Sequence, residues 1–98
     1  MTVRKACIDH IYNTGVNLAW AQVFIQNKYS APLIREKLNA AKAHANAAGF
    51  FLGHNEAIDL AIANLDRFGV GPHALDATEA ALFNLQGQLT GHCCNIKC

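Results

Sequence analysis

Ile58-Asp59-Leu60-Ala61-Ile62-Ala63-Asn64-Leu65-Asp66-Arg67-Phe68-Gly69-Val70-Gly71-Pro72 holds a one-sided helix and its stop signal in a single run. At 100° per residue, Ile58, Ala61, Ile62, Leu65 and Phe68 share an arc of about 120°, and Asp59, Asn64, Asp66 and Arg67 fall outside it. Gly69 offers a left-handed stop, and Gly71-Pro72 completes the clearest break in the chain. With Asn55 as N-cap, this helix spans about 55–68.

The same signals recur on both sides. Upstream, Ser30 as N-cap and Pro32 in the first turn open a helix over about 31–48, with Gly49 as its left-handed cap. Its Ile34, Leu38, Ala41, Ala45 and Ala48 lie within an arc of about 80°. Phe50-Phe51-Leu52-Gly53-His54 then forms a short apolar connector. Downstream, Asp76 caps a helix over about 77–90, with Glu79 three residues on as the second half of a capping box. Ala81, Leu82, Leu85 and Leu89 share its face, and Gly91 closes it. A longer helix over about 3–28 begins the chain. Alanine is abundant and runs of β-branched residues are scarce. The expectation is an all-α, compact bundle of four helices in one domain over 1–91, followed by a Cys-rich tail over 92–98.

Hydrophobic residues make up 52% of the chain and charged ones only 15%, against about 25% charged in an ordinary soluble protein. That balance excludes intrinsic disorder, which needs low hydrophobicity and high charge. The stretch Gly15 to Ile25 is interrupted by Asn17 and Gln22, short of the roughly 18 apolar residues that suggest a membrane span.

The surplus belongs mainly to the first helix. Ile8, Ile11, Tyr12, Val16, Leu18, Ala19, Trp20, Val23, Phe24 and Ile25 cover about 260° of its wheel. A narrow polar strip is left around His10, Thr14, Asn17 and Lys28. Such a helix calls for cover from a partner, or from an oblique crossing with the Phe50-Phe51 connector laid over Trp20. Trp20 and Phe24 stand one turn apart, at contact spacing, and grouped aromatics are typical interface anchors. The candidate partner-binding residues are Tyr12, Val16, Trp20, Phe24, Phe50 and Phe51.

Charge is divided between the halves. Arg4, Lys5, Lys28, Arg35, Lys37 and Lys42 against Asp9 and Glu36 leave residues 1–49 at +4; residues 50–98 stand at −3. A bipolar chain favours protein contacts or self-association over a polyanion. Nucleic acid is disfavoured further because Glu56, Asp59 and Asp66 of the third helix would repel phosphate. Asp9, His10 and Asn13 interrupt the segment where a secretory signal needs an unbroken apolar core, so a cytoplasmic location is expected.

Cys7-Ile8-Asp9-His10 and Gly91-His92-Cys93-Cys94-Asn95-Ile96-Lys97-Cys98 are the two clusters with ligand chemistry. An up-down-up-down bundle brings them to one end. Cys7, His10, Cys94 and Cys98, with His92 and Cys93 as alternates, could then make a tetrahedral zinc site or a redox thiol cluster; a disulfide from Cys7 to the tail and unligated thiols are the other readings. The spacing matches no standard zinc ribbon or finger. No nucleophile elbow, metalloprotease helix, phosphate loop or dinucleotide fingerprint is present. Asp59 and Asp66, two turns apart on one helix face, read as a solvated face, and His44 as a boundary residue. The expected function is therefore non-enzymatic binding of another protein or of a second copy, as an adaptor, subunit or inhibitor. Modulators that phages and mobile elements direct at host proteins are one such class. The alternative is a small zinc or thiol-redox protein.

Overall fold

The computed structural model describes the backbone of residues 3–48 and 52–88, and the side chains of residues 8–48 and 56–85. Four α-helices follow one another, α1 (Val3–Gln26), α2 (Ala31–Ala47), α3 (Leu52–Phe68) and α4 (Pro72–Gln88), with no strand among the described residues. The expected all-α bundle is what forms. Each helix packs on its two neighbours in a ring: α1 on α2, α2 on α3, α3 on α4 and α4 back on α1. The contacts are densest within the α1–α2 and α3–α4 hairpins, and the diagonal pairs do not meet. The bundle measures 40 × 22 × 16 Å. At about 1.5 Å per residue, α1 runs nearly its whole length.

The small side chains of α2 explain how the ring closes tightly. Ile34, Leu38, Ala41, Ala45 and Ala48 are all buried, as the wheel predicts. Ile11, Leu18, Ala21 and Ile25 of α1, Ile58, Ala61 and Leu65 of α3, and Ala74, Ala77, Ala81 and Leu85 of α4 complete the core. Phe68, assigned by the wheel to the core arc, is 50% exposed instead. As the last residue of its helix it lies beyond the packed turns, and it stacks on His73 with ring centroids 4.0 Å apart.

Two turns set the hairpins. After Gln26 the chain ends α1 with a Schellman motif: Tyr29 N–H donates to the Phe24 carbonyl (2.9 Å) and Lys28 N–H to the Ile25 carbonyl (3.1 Å). Lys28 takes the left-handed position at φ 58°. The stacked Phe24 and Tyr29 rings, 4.5 Å apart, supply the apolar contact that accompanies this motif. The first helix therefore stops before Lys28, not at it. Ser30 is the N-cap of α2 by position, with its carbonyl accepting from Leu33 and Ile34; its side chain makes no capping bond.

At the second turn, Gly69 takes φ 80° and its N–H reaches the Leu65 carbonyl at 2.9 Å. Here the expected stop holds. Two expected starts do not. The fourth helix begins at Pro72, so Asp76 lies inside it and caps nothing. Proline's fixed φ suits the first helical position, and the Gly71 carbonyl takes the first helical bond from Leu75 N–H at 3.0 Å. Likewise α3 begins at Leu52, which draws three of the five connector residues, Leu52, Gly53 and His54, into the helix together with Asn55. The Gly49 cap, Phe50, Phe51, Leu89 and Gly91 lie outside the described residues.

Two ion pairs join the hairpins across α2 and α3: Arg35 with Asp66, and Lys42 with Asp59 at 2.6 Å. Asp59 and Asp66 are thus paired, not merely solvated. Arg35 and Lys42 are seven residues apart on α2, and Asp59 and Asp66 seven apart on α3, so the antiparallel packing matches them two turns by two turns. Part of the charge division read from the sequence is spent on this seam.

Candidate protein-binding face

The polar strip of α1 is not its solvent side but flanks the buried Ile11, Leu18, Ala21 and Ile25. Thr14, in the middle of the polar strip, is fully buried, and His10 and Asn17 beside it are half-buried. His10 and Thr14 of the strip turn toward α2 and the core, while Lys28, past the helix end, is exposed. Burial costs little because the groups are satisfied locally: the Thr14 hydroxyl donates to the His10 carbonyl at 2.8 Å and the Asn17 amide to the Asn13 carbonyl at 2.8 Å. His10 meets His44 of α2, Nδ1 to Nδ1, at 2.9 Å. One ring must donate and the other accept.

With the strip inside, much of the apolar arc is left outside. Tyr12 is 70% exposed, Trp20 48%, Ile8 45% and Val23 42%, all on α1. Between α1 and α4 lies an open groove of about 470 Å³, lined by Ile8, Ile11, Tyr12, Gly15, Val16, Ala19 and Leu85. Gly15 sets its depth. A Cβ there would stand 3.2 Å from a Leu85 methyl, so the helices approach closely where the side chain is missing. Farther along the same seam Gln22 donates to the Glu79 carboxylate at 3.0 Å, next to Leu82 and Phe83. Phe83, 74% exposed, extends the apolar face onto α4.

The candidate residues separate as follows. Tyr12 and Trp20 are exposed on α1, and Val16, half-buried, lines the groove. Phe24 is half-buried between Trp20, 5.7 Å away ring to ring, and Tyr29. It serves the end of the helix more than the open face. Phe50 and Phe51 lie outside the described residues. Trp20 keeps about half its surface. Phe83 was legible only as a residue off its helix's core arc, and Ile8 and Val23 only as members of the broad arc.

Of the metal-ligand candidates, His10 alone has a described side chain, and it faces His44. Cys7 belongs to α1 by its backbone; His92, Cys93, Cys94 and Cys98 lie outside the described residues. Among the described residues no group of three or more His, Cys, Asp or Glu is assembled. His44 is at the boundary of the core, as expected. Its partnership with His10 needed knowledge of how α1 and α2 align.

No helix among the described residues is long and apolar enough to cross a membrane. No protein-family model, curated protein or solved structure matches the chain.

Proposed function

We propose that the chain is a small, non-enzymatic protein-binding module that works through the outer face of α1, extended by Phe83 of α4. One observation carries this reading: α1 turns its polar strip inward and leaves Ile8, Tyr12, Trp20 and Val23 at the surface. Scattered exposed apolar residues are ordinary, whereas a contiguous face along one helix and its groove is a common mark of association. The groove floored by Gly15 suits an apolar helix, whose ridge of side chains would fill the seam beside Leu85. The partner is a protein presenting such a helix, either a second copy or another chain. Adaptor, subunit and inhibitor are the roles open to a module of this kind.

Sedimentation of the purified chain over a wide concentration range tests self-association first. A dimer that Tyr12→Asp and Val23→Asp convert to folded monomer assigns the face to a second copy. For a monomer, a photo-crosslinking residue at Tyr12 should capture a defined native partner in host extract. The same residue at Asn39, on the exposed side of α2, should not. A monomer whose Tyr12 and Asn39 derivatives capture the same proteins equally would sink the reading.

A further inference from the structure

The imidazole pair of His10 and His44 takes no part in the binding face, and we propose that it is a chelating site for a divalent first-row metal ion, bridging α1 and α2. The ion is one of octahedral or tetragonal preference, the class of Ni²⁺ and Cu²⁺. The argument starts from the Nδ1–Nδ1 separation of 2.9 Å. Metal–imidazole bonds are about 2.0–2.1 Å long. Two such nitrogens at right angles stand about 2.9 Å apart, whereas a tetrahedral ion spreads them to about 3.3–3.4 Å. That separation is set in the metal-free protein by the hydrogen bond between the rings, and once the rings turn their lone pairs outward the two nitrogens can take neighbouring corners of an octahedral or square shell, the geometry that N and O ligands give Ni²⁺ and Cu²⁺.

The surroundings agree. The rings are tilted by 39° with centroids 5.2 Å apart, so they are not stacked face to face, and both residues are half-buried, leaving a side open to water. No third His, Cys, Asp or Glu joins them among the described residues. The remaining positions therefore go to water, which suits an ion with several exchangeable sites. Both ligands sit on helical backbone, with Thr14 bonded to the His10 carbonyl, so their spacing is held by the packing of α1 on α2.

Metal entry also balances chemically. In the metal-free protein one ring donates its Nδ1 proton to the other. On binding, that ring moves its proton from Nδ1 to Nε2, both Nδ1 lone pairs turn to the ion, and no proton is lost. The interhelical hydrogen bond is replaced by two coordinate bonds.

The test uses untagged full-length chain with Cys7, Cys93, Cys94 and Cys98 replaced by Ser, which removes the competing thiols. Ni²⁺ is the probe because it does not oxidise thiols in the parent protein used for comparison. Calorimetric titration should show saturable one-to-one binding and a Tm that rises with Ni²⁺. His10→Asn and His44→Asn should each abolish both effects, while His73→Asn leaves them intact. Paramagnetic broadening of amide signals, recorded on parent and thiol-free chains without any histidine change, should centre on the turns around His10 and His44. That map decides the matter even if an Asn variant loses helicity by circular dichroism. Absence of saturable binding in folded thiol-free chain, binding undiminished in His10→Asn, or broadening centred elsewhere overturns the proposal.

Discussion

Lys28 holds a left-handed backbone at φ 58° without being glycine. Side chains with a Cβ pay about 1 kcal/mol or more there, a cost the Schellman bonds and the Phe24–Tyr29 stack offset. Lys28→Gly should therefore raise stability by about 1 kcal/mol, seen as a Tm higher by about 4–8 °C in a domain of this size. A lower Tm would mean that the Lys28 side chain itself is holding the turn. Thr14 offers a second test. Its hydroxyl is buried, yet among the described residues its partner is a carbonyl one turn back on its own helix. Thr14→Val removes donor and bond together and leaves no orphaned donor, so stability should stay level or rise by up to about 1 kcal/mol. Truncating its buried neighbour Leu18 to Ala should instead cost about 2–5 kcal/mol. Urea denaturation at constant slope compares the three chains.

Among the elements, the α2–α3 seam shows how charge is used. Lys42 and Asp59 are both roughly half exposed, so their attraction is screened and worth about 0.2–1 kcal/mol. Lys42→Asp should destabilise by about that amount, and adding Asp59→Lys should restore most of it. The coupling should fade in 1 M salt. A double-mutant cycle showing no coupling at low salt would mean that packing alone aligns the helices. These same elements show what the sequence could tell. Helix α2 was legible almost to the residue, because its start signal, alanine ridge and one-sided wheel all agree. The starts of α3 and α4 were misread for a common reason: Asn55 and Asp76 have capping chemistry, but Leu52 and Pro72 upstream can already take helical backbone. At α4 a proline preceded by glycine outweighed an acidic cap. Lys28 was misread because a left-handed lysine carries no signal in composition.

For the whole molecule, the candidate face was legible in part. The excess of apolar residues pointed to α1, and Tyr12, Trp20 and Val23 are indeed at the surface. Which side of α1 would face the core was not legible. A wheel assigns the apolar side inward by default, and only the neighbours on α2 decide that Thr14 and His10 go in. Phe83 gives the discriminating prediction at this scale. It is 74% exposed, so Phe83→Gln should leave the unfolding free energy of the isolated chain within about 0.5 kcal/mol. If the α1–α4 face is the interface, the same change should weaken association measured by sedimentation or partner titration. Unchanged association would confine the interface to α1.

The ring without diagonals bears on how fast the chain reaches its fold. Most contacts lie within two hairpins whose partners are close in sequence, each closed by a short turn. Little loop entropy is lost before those contacts form, and helical bundles of this kind fold in microseconds to milliseconds. A temperature-jump experiment following Trp20 should find relaxation in that range. Substitutions at Ile34 or Leu38 should slow folding more than those at Asp59 or Lys42, because closing a hairpin comes before docking one hairpin on the other. The seam that matches charge to charge would then be the last part of the molecule to set.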